Sequence, residues 1–250
     1  MDSHFHDASV FKDSVPVMRE LMRYATLRCS PFGMELRGMD DSSTSMCVLT
    51  IDGTRIESYL CEKESLVAGF SLLDLQRTLN FAERNDSMAM CIPLESDTAY
   101  FKFGSRRMDK MAQVDIKLLD LQEEHLVVPD LEYAAVAVMP SKEFARVVYA
   151  MAGLGPTCQI CITKDGIAFS ADSAIGQSRI RLRGELAKTT VTDMVVHSFS
   201  SNMLCLFAKA APLAMQVTVS MSPTAPLFVE FKTMDGGSLK YYLAPCMEIE

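Results

Sequence analysis

The chain has 250 residues, of which 49% are apolar and 22% are charged, and its formal net charge at pH 7 is −8. This composition is typical of a globular protein with enough apolar material for one large or two smaller cores. The acidic start does not match a secretory signal, no apolar run reaches the roughly 18 residues of a membrane span, and eight cysteines without a signal favour reduced thiols inside a cell. Overall acidity, taken alone, argues against a nucleic-acid partner.

Helical periodicity occurs in four stretches, two in each half of the chain: residues 9–24, 71–82, 141–152 and 199–210. Pro16 interrupts the first stretch, and a proline beyond the first turn costs about 3 kcal/mol. A shortened helix capped by Ser14 would place Pro16 in its first turn and leave Lys12 outside the helix.

Most of the remaining chain alternates apolar and polar residues between turn residues, which is typical of antiparallel strands. Residues 119–133 are too acidic and irregular for a core strand, so we expect an extended connector along the surface. The sequence therefore predicts an α+β protein with two domains, residues 1–118 and 134–250, joined by this connector.

The two halves contain an internal repeat. Phe11 precedes a turn glycine, Gly33, by 22 residues, and Phe144 precedes Gly166 by the same interval. Residues 89–103 and residues 217–231 share a similar pattern in the two halves. Two copies of one α+β unit favour a symmetric building block of a larger assembly.

Charge is distributed unevenly between the predicted helices and the rest of the chain. The four helical stretches contain seven Lys or Arg residues and four Asp or Glu residues, whereas the remainder of the chain carries a net −11. Two interpretations stay open at this point. In the first, the excess of positive charge in the helical stretches arises by chance because the stretches are short. In the second, the helices face a polyanion while the strands and loops face elsewhere.

Five strings of residues match one known family: residues 33–43, 118–121, 139–146, 164–166 and 239–245. On these motifs the chain resembles, from end to end, the DNA sliding clamps of the proliferating cell nuclear antigen family, as a divergent member. The resemblance implies a trimeric ring of duplicated β-α-β units, with four helices of each chain inside and antiparallel sheets outside.

The resemblance also implies the function. It predicts a nuclear DNA polymerase processivity factor, a homotrimer that encircles duplex DNA of any sequence and recruits replication and repair proteins by their short clamp-binding peptides. The alternative within this architecture is one subunit of a heterotrimeric checkpoint clamp. The family is not enzymatic, and we expect no cofactor and no membrane partner, with a separate ATP-driven loader opening the ring.

Three sets of residues are implied by matching motif positions. The DNA-facing set, whose alternative is ordinary solvated helix charge, is Lys12, Arg19, Arg77, Arg146 and Lys209. The partner groove under the connector, whose alternative is simple core, is Met39, Ser43, Thr44, Leu126, Val128, Tyr133, Pro226, Tyr242, Ala244 and Pro245. The subunit edges, whose alternative is edge strands covered by loops, are Lys110, Val114, Ile116 and Lys117 on one and Ile180, Arg181 and Leu182 on the other.

Some residues depart from the family pattern or match a modification site. Asp13, Asn80 and Tyr149 stand where the family usually has a basic residue, so we expect weak DNA attraction. Lys164 matches the position that eukaryotic members use to attach ubiquitin.

Enzyme chemistry finds little support in the sequence. Cys158 and Cys161 form a CxxC pair, but an odd spacing on a strand sends the two thiols to opposite faces, which disfavours a disulfide or a shared metal. His125 and His197 lack carboxylate or cysteine partners at the spacing of metal or catalytic motifs. His4 and His6 are close enough in sequence to bind one metal ion together, but a floppy terminus is the favoured interpretation. A thiol- or histidine-based enzyme remains the competing class, and we expect neither a catalytic residue nor a metal site.

Overall fold

A computed structural model describes residues 1–94, 96–105, 110–121, 132–173 and 176–246 of the chain. The chain divides into two compact units. The first comprises Met1–Asp41, Cys47–Leu126 and Asp235–Ser238, and the second comprises Ser42–Met46, Val127–Met234 and Leu239–Glu250. Within the described ranges, no helix has the length and apolar character that crossing a membrane requires.

The first unit contains two antiparallel sheets and two helices. Its elements in chain order are β1 (Asp2–Phe5), α1 (Ser9–Arg19), β2 (Tyr24–Ser30), β3 (Gly33–Met39), β4 (Ser45–Asp52), β5 (Ser58–Leu60), β6 (Leu66–Ser71), α2 (Leu72–Leu79), β7 (Ser87–Cys91), β8 (Thr98–Gly104) and β9 (Met111–Lys117). The spatial strand orders are β5-β1-β7-β8-β9 and β4-β3-β2-β6.

The second unit repeats this plan. Its elements are β10 (Ala135–Pro140), α3 (Ser141–Ala152), β11 (Thr157–Thr163), β12 (Gly166–Ser173), β13 (Gly176–Leu182), β14 (Lys188–Val191), β15 (Val195–Ser200), α4 (Ser201–Ala208), β16 (Gln216–Met221), β17 (Leu227–Lys232) and β18 (Gly237–Leu243). The strand orders are β14-β10-β16-β17-β18 and β13-β12-β11-β15. Each matches its counterpart in the first unit strand for strand, so the internal repeat predicted from the sequence is confirmed.

Helices α2 and α4 form where apolar residues recur at helical spacing next to a capping side chain. In α2, Ser71 caps the start by accepting a hydrogen bond from the Asp74 N–H, and Leu72, Leu75 and Leu79 form the buried face. In α4, Ser200 plays the same capping role for the N–H of Met203.

The expectation that Ser14 caps a shortened first helix is wrong. Helix α1 already begins at Ser9, with Ala8 as its N-cap residue, and Asp7 accepts hydrogen bonds from the N–H and the hydroxyl of Ser9. Pro16 therefore lies inside the helix and cannot donate to the carbonyl of Lys12. It occupies the half-exposed side of α1, where water can reach the carbonyl that loses its donor.

Aromatic side chains connect the layers within each unit. In the first unit, Phe70 of β6 meets Phe101 of β8 edge to face at 6.4 Å, which joins the two sheets. In the second unit, Phe144 of α3 touches Phe169 at 6.3 Å and Phe231 at 6.0 Å, one from each sheet. All five rings are at most 1% exposed, so they form the centres of the two cores.

The two repeat glycines share a backbone constraint. Gly33 begins β3 with φ +151°, and Gly166 begins β12 with φ +142°. A Cβ atom would lie 2.4 Å from the Ile51 carbonyl oxygen at Gly33 and 2.1 Å from the Leu182 carbonyl oxygen at Gly166. Only glycine allows the neighbouring strand to approach so closely.

We predict that Gly166→Ala lowers the free energy of unfolding by about 3 kcal/mol, because it adds a steric clash to an unfavourable φ. The matched control is Gly176→Ala, since Gly176 has φ +129° but open space around a Cβ. It should cost only about 1 kcal/mol. Urea unfolding measures both, and equal losses would contradict the role assigned to the carbonyl contact.

Candidate functional site

The exposed helix faces carry more positive than negative charge. The four helices contain five cations and three anions. The cations are Lys12, Arg19, Arg77, Lys142 and Arg146, and the anions are Asp13, Asp74 and Glu143. Lys209 is exposed directly after α4.

Lys12 uses its ammonium group inside the first unit. Its Nζ donates to the carbonyl oxygens of Leu79, at 3.0 Å, and Ala82, at 2.6 Å, at the C-terminal end of α2. A helix end leaves such carbonyls without partners, and a cation there also offsets the helix dipole. Lys12 therefore ties α1 to α2.

The arginines on the helices are bound to neighbouring polar groups. Arg77 pairs with Asp74 at 3.4 Å, and Arg146 pairs with Glu143 through its Nη2 at 2.7 Å and its Nε at 3.0 Å. The hydrogen bond to the Glu143 carboxylate, together with its charge, raises the pKa of Arg146.

Two further cations on the helices, Arg19 and Lys142, are not paired with a carboxylate of their own helix in the described ranges. Arg19 donates to the Gln76 side chain at 2.6 Å, which links α1 to α2. Lys142 is exposed on α3 and forms no ion pair with any residue in the described ranges. Lys142 follows Ser141 at the start of α3. It was not assigned to the DNA-facing set, because the matching motif is defined by its neighbours Glu143 and Arg146 and leaves position 142 open.

Asp13 is held by a cation from outside its helix. Arg84 Nη2 lies 2.6 Å from Asp13 and 3.6 Å from Asp235. Burial raises the pKa of Asp13, with Asp235 adding to the rise and Arg84 opposing it. This pairing explains how an acidic residue is accommodated on a helix face that is otherwise basic.

Three aromatic rings form a row in the second unit. Tyr133 stacks on Phe228 with ring centroids 5.6 Å apart, and Phe228 meets Tyr242 at 5.1 Å. All three rings are half-buried, so they are not simply core. Sequence comparison missed Phe228, although an apolar residue on the polar side of the alternating strand β17 is the signal that could have found it.

Other residues that the sequence assigned to the groove also lie in the second unit. The N–H of Ala244 donates to the carbonyl of Thr44 at 2.9 Å, which fixes the segment after β18. Ser43 is exposed and has a positive φ of 55°. Pro226 is half-buried and Pro245 exposed.

The other three residues assigned to the groove stay predictions. Met39 is the last residue of β3 in the first unit and is half-buried. Leu126 and Val128 lie outside the described residues.

Strands β9 and β13 end their respective sheets. On β9, Ile116 is 7% exposed but Val114 is only half-buried, and on β13, Leu182 is 3% exposed but Ile180 is only half-buried. The outward residues of β13, including Arg181, are exposed.

Two cations at the ends of β9 belong to the same set. Lys117 is exposed, and Lys110 lies 3.9 Å from Asp86.

The structure offers no support for thiol or metal chemistry. Cys158 is fully buried while Cys161 lies on the other face of β11, as the odd spacing predicted. Burial raises the pKa of the Cys158 thiol to about 12, which keeps it protonated and unreactive at neutral pH. In the part of the chain that the structure describes, no three His, Cys, Asp or Glu side chains cluster in a way that could hold a metal.

Comparison with protein families assigns the whole architecture. Residues 1–125 match the N-terminal domain of proliferating cell nuclear antigen, and residues 127–246 match its C-terminal domain. The chain belongs to the proliferating cell nuclear antigen family. Its fold is therefore the α+β two-domain clamp fold, and the chain is a DNA sliding clamp and processivity factor of a non-catalytic family. The resemblance seen in the sequence is confirmed.

Replacing Lys12 tests whether this residue stabilises the fold of the clamp or faces DNA. We predict that Lys12→Met lowers the free energy of unfolding by about 1 kcal/mol, because the carbonyls of Leu79 and Ala82 lose a charged donor. The control Lys142→Met removes an exposed cation without a described partner and should be nearly neutral for stability. Thermal or urea unfolding decides, and an unchanged stability of the Lys12 variant would refute its role at the end of α2.

Proposed function

We propose that three copies of this chain close head to tail into a ring around duplex DNA. The observation that carries the proposal is that β9 and β13 end their sheets while Val114 and Ile180 stay half exposed. Unpaired edges invite pairing with another chain. Because the two edges differ and lie on the same chain, each copy offers β9 to one neighbour and β13 to the other, which closes a ring when the rotation allows.

The side chains of the two edges are compatible with such pairing. Val114 and Ile116 on β9, and Ile180 and Leu182 on β13, face the cores of their own sheets, so a joint ladder would continue a buried apolar layer. On the outward face, Asp115 of β9 would come near the cations of β13, which adds opposite charges across the contact.

The runner-up is one subunit of a heterotrimeric checkpoint clamp. In that assembly β9 and β13 would each meet a different protein, and the purified chain would stay monomeric. Light scattering of the purified protein distinguishes the two, since a homotrimer has three times the chain mass of 27.7 kDa.

Reversing a charge on one edge should weaken the ring. We predict that Arg181→Glu moves the protein from trimer toward monomer at low micromolar concentration, because the exposed edge then repels Asp115 of its neighbour. Lys188→Glu, an exposed residue on β14 in the same unit, is the matched control and should leave the mass unchanged. An unaltered mass for the Arg181 variant across a dilution series would count against this edge.

We further propose that the exposed helix faces line the hole and contact DNA phosphates without reading sequence. Arg19, Arg77, Arg146 and Lys209 lie on these faces or directly after them, whereas Lys12 is committed to the end of α2. Arginines already paired with carboxylates attract phosphate weakly, and weak sequence-independent contacts suit a clamp that must slide. Loading would take place in the nucleus and need a separate ATP-driven loader.

Releasing Arg146 from its partner should tighten DNA binding. We predict that Glu143→Gln raises affinity for a linear 30-bp duplex and steepens its salt dependence, since each additional phosphate contact adds about 0.9 to the slope of log K against log salt. Arg146→Glu should do the opposite, and Glu62→Gln, an exposed acid away from the helices, is the control. Fluorescence anisotropy at several salt concentrations measures this. Identical salt slopes for all three variants would refute the assignment of α3.

The aromatic row Tyr133–Phe228–Tyr242 is the proposed docking site for short peptides of replication and repair proteins. Half-exposed aromatic rings in a groove are suited to hold the aliphatic and aromatic anchors of such peptides. The proposal also includes Lys164 as a ubiquitin acceptor, since it is exposed in the turn between β11 and β12. Mass spectrometry that always finds Lys164 unmodified after DNA damage would remove this assignment.

A further inference from the structure

The outward face of one sheet in the second unit continues beyond the aromatic row. Along β17, Phe228, Glu230 and Lys232 alternate with the buried residues Val229 and Phe231 and so share the outward side. The strand register places three cross-strand rows on this face, namely Phe228–Ser220–Val136, Glu230–Thr218–Val138 and Lys232–Gln216–Pro140.

The second and third rows line a groove of about 620 Å³. It therefore begins one row, or about 7 Å, from the ring of Phe228. Met215 and Met234 complete its lining and are 76% and 64% exposed.

The backbone holds both methionines in place. The N–H of Ser141 donates to the carbonyl of Met215 at 3.1 Å, and the N–H of Met234 donates to the carbonyl of Leu213 at 3.2 Å. Their thioether side chains can adapt to different apolar partners, as methionines do on binding surfaces that accept several ligands. The groove thus combines a backbone fixed by hydrogen bonds with methionine side chains that can change conformation.

Size and hydrogen bonding indicate what this groove accepts. Its volume falls in the range of sites that take a small ligand or a few side chains. Because β16 is paired on both sides, by β10 and by β17, its backbone is satisfied, and contact must be made through side chains. These features favour a short peptide segment.

We propose that the peptide which fills the aromatic row extends along this face and places an apolar side chain between Met215 and Met234. From Phe228 to Lys232 the strand advances four residues, or about 13 Å, so about four extended residues beyond the anchors reach the methionines. This inference rests on the docking site proposed above and adds a second point of recognition outside the peptide's anchor motif.

Synthetic peptides test the proposal. A short peptide carries one leucine and two phenylalanine anchors, and two longer ones add four residues ending in leucine at its N- or C-terminal end. We expect one longer peptide to bind the intact protein about tenfold more tightly than the short one in fluorescence anisotropy. The double variant Met215→Ser/Met234→Ser should abolish this gain and leave the short peptide's affinity unchanged. The control Met194→Ser, which alters a residue that is 66% exposed before β15, should keep the gain.

The outcomes separate this inference from the docking site itself. If the short peptide binds and Tyr133→Ala weakens it, but neither extension adds affinity or the gain survives the double variant, the inference fails while the docking site stands. If the short peptide does not bind, or binds the Tyr133 variant equally well, the docking site fails and the inference with it. A change in assembly mass on replacing the methionines would assign the face to a contact between copies and also overturn the inference.

Discussion

Unsatisfied backbone hydrogen bonding at two sheet ends is the constraint on which the biology of this clamp depends. The inward side chains of β9 and β13 already face their own cores, yet Val114 and Ile180 remain half exposed on strands that end their sheets in the described part of the chain. A soluble protein tolerates such edges only if they are short, charged or capped by another chain. Here both edges are seven residues long, which supports the proposed assembly.

Duplication explains why these two ends differ although the two units share one plan. β9 ends the five-stranded sheet of the first unit, whereas β13 ends the four-stranded sheet of the second. A head-to-tail contact requires two unlike surfaces on each molecule. A duplicated chain supplies them from equivalent folds, and the internal repeat is thereby linked to the trimer proposed here.

Sequence alone predicted what depends on local spacing and missed what depends on distant partners. The interval between Phe144 and Gly166 revealed the repeat, because a turn glycine and a buried helix residue recur wherever that unit folds. It could not show that Lys12 caps α2, since Leu79 and Ala82 lie about seventy residues away. Phe228 was missed because its partners Tyr133 and Tyr242 meet it only in the folded sheet. The expectation about Pro16 failed because α1 begins at Ser9, five residues before the predicted cap Ser14.

Local pairing of charges keeps the helix faces weakly positive in a chain of net charge −8, for which we propose a DNA-encircling function. Asp74 and Glu143 lie one turn before the arginines they bind, and Arg84 holds Asp13, so the helix faces are only weakly positive. Exposed pairs of this kind contribute little to stability, but they lower the charge available to phosphate. Topological closure can then supply retention on DNA while these contacts stay weak. A strongly basic lining would add affinity at the expense of movement along the duplex.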